Sequence, residues 1–269
     1  QVIFEGDRLE PAFSYVPGQW GTIWLTAGST NHEFNYTTIK NSIVRIIMDS
    51  NDGDRTLTLK NVQIFNTSST GLLARTGDIY GENVIINNSG QTSLSCSLGG
   101  RYNFIHSTFA NYWNNNFRLF PSVVIDNVLQ ISETEFETKD LIEANFINCI
   151  IYGNEARELI FVEDENAAFN FNFVNSLIRF DDPSGNYSDD PNYDFSNENL
   201  YLNIVRNQDP AFFNTNLNDF NIESEVSGAD GIADPAGAAL VPFDANEVSR
   251  LVPLPDAGAY QSIIFPDEG

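Results

Sequence analysis

The sequence has 269 residues, 42% of them hydrophobic and 13% aromatic, so it can build a large core and is unlike a disordered chain. It carries 13 Lys and Arg residues against 37 Asp and Glu residues, a formal net charge of −24. Such an acidic chain offers no basic surface to nucleic acid, and anionic membranes would repel it. We find no apolar run long enough to span a bilayer and no signal peptide, so we expect no transmembrane segment.

The chain opens on Gln1, Val2, Ile3 and Phe4, which is typical of the middle of a strand, so we expect a trimmed N-terminus. Six later segments share one pattern: 36–41, 61–66, 83–88, 106–111, 148–153 and 175–180. Their first residues are 25, 22, 23, 42 and 27 positions apart, and four of these intervals are typical of one β-helix rung. The interval of 42 indicates one rung with an excursion around 112–122, or nearly two rungs.

The fourth residue of every segment is apolar, namely Ile39, Ile64, Ile86, Phe109, Ile151 and Ile178. Stacked rungs place like residues above one another, so this pattern predicts a buried column. The sixth residue is Asn in the first four segments. Asn can adopt the left-handed backbone of a corner and hydrogen-bond to neighbouring rungs. The alternative is an Asn ladder that binds a ligand.

A second apolar strand precedes five of the segments, at 22–25, 45–48, 71–74, 93–96 and 158–161. Period-two alternation points two residues of each strand inward. The outward residues are then Trp24, Ile47, Leu73, Ser95 and Ile160, of which four are apolar. Either this register is wrong by one residue, or Trp24, Ile47, Leu73 and Ile160 belong to a contact site. We expect another polypeptide, or the 112–122 excursion, to cover them.

From Asp181 the pattern gives way to turn-rich sequence, and a last apolar repeat follows at 200–205. The sequence therefore predicts an all-β fold, a right-handed parallel β-helix (solenoid), over residues 1–206. Residues 207–269 are predicted to form an irregular C-terminal cap packed on the helix. Cys96 and Cys149 fall in apolar strands, which favours two core thiols over a disulfide.

Several motifs together resemble a family of Bacteroidetes cell-surface β-helix proteins that is largely uncharacterised. They are FEGDRL at 4–9, PGQWGTIWL at 17–25, GGRYNFIH at 99–106, DPAFF at 209–213, DFNI at 219–222 and PDAGAY at 255–260. The resemblance runs from end to end and implies an exported protein at the cell surface or outer membrane. Family members often begin with further rungs behind a lipidated cysteine, so the resemblance implies a lipid anchor in a region outside this sequence.

Many β-helices degrade acidic polysaccharides, so we searched for a base and a cation in neighbouring rungs. Asp49, Arg75 and Asp78 are the candidates, with an ordinary ion pair across rungs as the favoured alternative. The run 49–54 resembles a calcium loop, but it lacks the downstream Glu of an EF-hand, which favours a solvated turn. We therefore expect no metal or cofactor, with Ca²⁺ as the one open possibility. His106 aligns with Asn in most of the other rungs, which favours a hydrogen-bonding role at a corner.

Aromatic side chains give the other route to a function, because exposed rings can stack on sugars. The candidates are Trp20, Trp24, Tyr80, Tyr112 and Trp113, with packing over the helix side as the alternative for Trp113. We therefore predict a non-catalytic surface module that binds a glycan or docks to another cell-envelope protein. A β-helix polysaccharide lyase or hydrolase and a structural or adhesive spacer are the other two hypotheses.

Overall fold

A computed structural model describes residues 1–44, 46–49, 51 and 53–266. It is nearly all β, with 44% of the residues in strands and about seven turns of stacked parallel strands, which confirms the predicted parallel β-helix. The first strands are β1 (Val2–Phe4), β2 (Ile23–Leu25), β3 (His32–Lys40), β4 (Ile46–Met48), β5 (Leu57–Thr67), β6 (Leu72–Ser89), β7 (Leu94–Ile105), β8 (Thr108–Asn111) and β9 (Val123–Asp126). The later ones are β10 (Val128–Gln130), β11 (Phe136–Thr138), β12 (Leu141–Ile147), β13 (Ile150–Gly153), β14 (Leu159–Val162), β15 (Phe169–Val174), β16 (Leu177–Ile178), β17 (Tyr201–Leu202), β18 (Val205–Arg206), β19 (Phe212–Asn214) and β20 (Asp219–Ile222).

The six repeat segments stack in one parallel sheet, which we call sheet 1. It contains β1, the second halves of β3, β5 and β6, and then β8, β13, β16 and β18. The predicted column is confirmed, because its members pair one after another from Ile39 to Ile178 and all are fully buried. The repeat pattern therefore fixes both the register and the core of this sheet.

The second apolar strands form sheet 2, which contains β2, β4, the starts of β6 and β7, then β9 and β14. The inward register is confirmed, since the paired residues Met48, Ala74 and Cys96 are fully buried. The strand β9, between those of Cys96 and Phe161, was not among the predicted second strands. Both cysteines are free and buried, as predicted.

A third sheet, sheet 3, was missed in the sequence analysis. It contains the first halves of β3 and β5, the middle of β6, the end of β7, and then β12, β15 and β17. A single left-handed residue, such as Asn61 in β5, separates sheet 3 from sheet 1. Because this corner is only one residue long, the strand of sheet 3 and the strand of sheet 1 follow each other without a break in the apolar pattern. The sequence pattern therefore predicted only the strand of sheet 1.

Both corner columns use left-handed backbone. Asn41, Asn66 and Asn88 at the sixth position have φ of 65°, 60° and 54°, which confirms the predicted role of Asn there. Asn111 is the exception, because its side chain instead holds the backbone of Ser89 through both its amide nitrogen and its oxygen. The first position of the segments is also left-handed in every rung, at Tyr36, Asn61, Asn83, His106, Asn148 and Asn175.

The interval of 42 residues is one rung, because Phe109 of β8 pairs directly with Ile151 of β13. Two excursions supply the extra length. One is the predicted loop at 112–122, and the other is the antiparallel hairpin of β10 and β11, which the sequence analysis did not foresee.

The C-terminal part of the chain covers the helix in two places. Residues 181–200 close its end with aromatic rings, and the Tyr193 ring stacks on Phe180 at 4.7 Å between ring centroids. Beyond residue 206, the hairpin of β19 and β20 packs along the outer face of sheet 1, against Ile85 and Ile150, and the helix α1 (Pro235–Leu240) lies against Asn148. We call residues 207–266 the side cap. No described helix is both long and apolar enough to cross a membrane.

Candidate functional site

The three catalytic candidates lie in two separate ion pairs. Arg75 Nη1 lies 3.4 Å from Asp49 Oδ1, one rung apart on the outer face of sheet 2. Asp78 instead contacts Arg55, with Oδ1 2.6 Å from Nε, and its Oδ2 lies 3.7 Å from Nε of Arg101. The structure therefore pairs Asp49 with Arg75, as the alternative interpretation expected, and gives Asp78 other partners.

The predicted outward column on sheet 2 exists in the predicted register. Trp24 pairs with Ile47 and Ile47 with Leu73, and the column continues through Ser95, Val124 and Ile160. Trp24 is 60% exposed and donates from Nε1 to Asp49 Oδ2 at 2.7 Å, whereas Leu73 is half-buried. We call this column the sheet 2 strip.

The 112–122 excursion reaches only one end of the sheet 2 strip, where Phe120 and Pro121 lie beside Ile160. Its position is fixed by a fully buried ion pair, because Arg118 Nη2 lies 2.6 Å from Glu158 Oε1. The same carboxylate accepts hydrogen bonds from the backbone N–H and the hydroxyl of Ser122, at 2.7 and 2.8 Å. That another polypeptide covers the rest of the strip stays a prediction.

The aromatic candidates of the excursion have different surroundings. Trp113 is buried and donates from Nε1 to Asn116 at 2.7 Å, so its ring packs over the helix side. Tyr112 is half-buried between the excursion and the side cap, where its ring centroid lies 6.1 Å from that of Phe212. Burial, followed by the nearby Tyr152, raises the pKa of the Tyr112 phenol, so its hydroxyl stays protonated at neutral pH.

Two other aromatic candidates lie at the surface, and the polar group of each already donates a hydrogen bond within the protein. Trp20 is half-buried and donates from Nε1 to the carbonyl of Lys40 at 2.9 Å. Tyr80 on sheet 3 donates to Glu82 at 2.7 Å, and its ring lies under the Arg55 guanidinium.

An open cleft of about 370 Å³ lies where sheet 1, the excursion and the side cap meet. We call it the corner cleft. It is lined by Tyr15, Asn66, Asn88, Tyr112, Asn114, Asn115, Thr215 and Asn216. These eight side chains are all uncharged, although the chain as a whole carries a net charge of −24.

The floor of the corner cleft is a ladder of carboxamides. Asn88 donates from Nδ2 to Asn66 Oδ1 at 2.6 Å, and Asn66 donates to Asn41 Oδ1 at 3.3 Å. Asn41, Asn66 and Asn88 all have left-handed backbone and occupy equivalent corners of successive rungs. Asn88 ends the ladder, and within the described part of the chain its Oδ1 accepts no hydrogen bond.

The walls of the corner cleft are joined by polar contacts. Asn114 of the excursion donates from Nδ2 to Asn216 Oδ1 of the side cap at 3.2 Å. Behind them, Asn87 donates to Asn218 Oδ1 at 2.9 Å and accepts from the backbone N–H of Tyr112 at 3.0 Å. The cleft is therefore assembled, before any ligand arrives, from four parts of the chain, namely the segment that holds Tyr15, sheet 1, the excursion and the side cap.

Most of the corner cleft was not predicted from the sequence. Tyr112 was a candidate binding residue, and a ligand-binding Asn ladder was only an alternative interpretation. Tyr15 and Asn216 lie about 200 positions apart, and no repeat or spacing connects them. The Asn-rich run 114–116 was the one local signal that a polar lip borders the ladder.

The histidine and calcium predictions concern other places. His106 occupies a left-handed corner in contact with the Asn148 amide at 2.9 Å, as predicted, and burial lowers its pKa well below the usual range, with Arg250 adding to the effect. In the run 49–54, Ser50 and Asp52 lie outside the described residues, and Asn51 bonds to the hydroxyl of Thr56 at 3.1 Å. Among the described residues, no group of three or more His, Cys, Asp or Glu is placed to hold a metal ion.

Comparisons of this chain with protein-family models, with curated proteins and with solved structures find no match.

Proposed function

We propose that this chain is a non-catalytic surface module that binds an uncharged glycan in the corner cleft. The observation that carries the proposal is the lining of this cleft, in which five Asn side chains and two Tyr side chains converge on one preformed space. Carboxamides both donate and accept hydrogen bonds, so they match sugar hydroxyls, and tyrosine adds an apolar ring with a polar tip. Preformed clefts with a few fixed polar groups are the usual form of a small-ligand site.

The charge of the chain favours an uncharged ligand. No lining residue of the corner cleft is a cation that could pair with a uronate or a sulfate. The surrounding protein carries a net charge of −24, so its field repels anionic chains. A neutral sugar experiences neither effect.

The same lining favours binding over catalysis. A glycoside hydrolase needs two carboxyl groups flanking the scissile bond, and the eight residues that line the corner cleft include no Asp or Glu. Asp49 and Arg75, the predicted catalytic candidates, face outward on sheet 2 and contact each other. Export to a bacterial cell surface or outer membrane, which the family resemblance supports, is part of this proposal. The lyase or hydrolase hypothesis, the spacer hypothesis and docking to an envelope protein stay predictions.

The proposal is tested by titrating the protein with neutral and uronate-containing glycans that are first ranked on an array. Tyr15→Ala and Asn115→Ala each remove one exposed lining group, so we expect roughly tenfold weaker binding, which corresponds to about 1.4 kcal/mol. Phe136→Ala is the matched control, because this ring is 57% exposed on the β10–β11 hairpin. Equal affinity in the unchanged protein and the three variants, or a preference for uronate polymers over neutral glycans, would contradict the proposal.

A further inference from the structure

A second open cleft, of about 360 Å³, lies on the same face of the helix. Its lining includes Tyr36, Asn61 and Gln63 from sheet 1 and Asn246 and Glu247 from the side cap. The composition repeats that of the corner cleft, with a tyrosine, several carboxamides and a wall formed by the side cap. Its one carboxylate, on Glu247, can accept hydrogen bonds from sugar hydroxyls, and it repels anions.

The two clefts lie at opposite ends of one strand. Asn61 lines the second cleft and Asn66 lines the corner cleft, and these residues are the left-handed corners that bound the sheet 1 half of β5. Five residue steps of an extended strand cover about 16 Å. Gln63 and Phe65 point outward between the two corners, and both are half-buried.

The edge of the side cap lies beside the sheet 1 half of β5. In the next rungs it fully covers the outer face of sheet 1, where Ile85 is 3% and Thr108 is 1% exposed. Its edge reaches β5 through Tyr260, which accepts a hydrogen bond from Gln63 Nε2 at 2.9 Å. The edge of the side cap therefore forms a wall along the strand from one cleft to the other.

The opposite side of this strand is formed by β3, whose outward groups are already paired. Thr38 accepts a hydrogen bond from Gln1 at 2.7 Å, and Lys40 lies 2.7 Å from the carboxylate of Glu5. The Lys40 ammonium is thus neutralised within the chain. Lys40 therefore offers no unpaired positive charge to an anionic polymer.

We propose that the two clefts are the end subsites of one groove along residues 61–66, which binds an extended, uncharged oligosaccharide rather than a single sugar. This inference rests on the proposed function, because it assumes that the corner cleft takes a sugar. Joining two subsites makes the second contact intramolecular, so affinity rises when one chain can reach both clefts. A chain shorter than about 16 Å reaches only one of them.

The test measures affinity against chain length by calorimetry, with cello-, xylo-, manno- and malto-oligosaccharides from disaccharide to octasaccharide. For the series that binds, we expect affinity to rise at least tenfold once the chain spans both clefts, and then to level off. Tyr36→Asn removes the ring from the second cleft and keeps a residue suited to the left-handed corner, since Asn occupies this position in the next two rungs. In this variant the long chains should bind no more tightly than short ones do to the unchanged protein.

The results of this experiment distinguish failure of the groove from failure of sugar binding in the corner cleft. Binding that depends on Tyr15 but not on chain length would overturn the groove and leave the corner cleft as a single-sugar site. A length-dependent gain that survives Tyr36→Asn would also overturn it, because the second contact would then lie elsewhere. Absence of binding by all four series would contradict both proposals. Thermal unfolding of each variant, with Phe136→Ala as the control, confirms that the fold is intact.

Discussion

Arg118 and Glu158 form a fully buried, two-point ion pair, with Nη2 2.6 Å from Oε1 and Nη1 3.0 Å from Oε2. The pair joins the 112–122 excursion to the start of β14. Removing one partner leaves an uncompensated buried charge, so Glu158→Ala should lower the free energy of unfolding by about 3–5 kcal/mol. Urea denaturation measures this change. The exposed pair of Glu137 and Lys139, at 3.3 Å, is the control, since Glu137→Ala should cost less than about 1 kcal/mol. Equal effects in the two variants would contradict the role of the buried pair.

The interior column of sheet 1 is part of the hydrophobic core of the helix. Ile86 is fully buried between Ile64 and Phe109. Truncation to Ala leaves a cavity that the stacked rungs cannot close, so we expect a loss of about 2–5 kcal/mol. Ile131→Ala, at a 53% exposed position, should have little effect in the same denaturation experiment. A small loss at Ile86 would show that the column is not tightly packed.

The corner ladder combines backbone conformation with a hydrogen bond, and two substitutions at Asn66 separate them. Asn66→Gly keeps easy access to φ of 60° but loses the amide contacts to Asn41 and Asn88. Asn66→Ala loses the contacts and also forces a residue with a Cβ into left-handed backbone, which costs about 1–2 kcal/mol more. Unfolding free energies should therefore fall in the order wild type, Gly, Ala. A Gly variant as unstable as the Ala variant would mean that conformation contributes nothing at this corner.

Asp126 makes stability depend on pH. Burial raises the pKa of this carboxyl to about 6, although hydrogen bonds from the Leu98 N–H and the Ser97 hydroxyl act in the opposite direction. Because the folded state holds this proton more tightly than the unfolded state, its contribution is greatest below about pH 4 and is lost as the pH rises through 6. Asp126→Asn removes the titration. Its stability relative to wild type should therefore rise between pH 4 and pH 7 in urea denaturation, and a constant difference would contradict the shifted pKa.

Sequence periodicity predicted what repeats from rung to rung. The column from Ile39 to Ile178, the corner Asn residues and the register of the sheet 2 strip all follow from like residues stacking on like. Sheet 3 was missed because a corner of one residue, as at Asn61, leaves no break in the apolar pattern. The long interval between repeats located the 112–122 excursion, whereas the β10–β11 hairpin was not foreseen, because loops inserted between β8 and β12 follow no rung spacing.

The corner cleft depends on contacts that do not repeat. Tyr15, Asn115 and Asn216 converge because the N-terminal segment, the excursion and the side cap meet at the same corner of sheet 1. The excursion is held there by the Arg118–Glu158 pair, whose members are 40 positions apart. Neither the position of the side cap nor this pair can be read from the spacing of residues in one sequence.

The most direct test of the central claim is a crystal structure of the chain with a neutral oligosaccharide that the array identifies as a ligand. We predict sugar rings in the corner cleft, in contact with Tyr15, Asn88 and Tyr112. Sugar bound instead on the sheet 2 strip around Trp24, or beside Asp49 and Arg75, with the corner cleft empty, would contradict it.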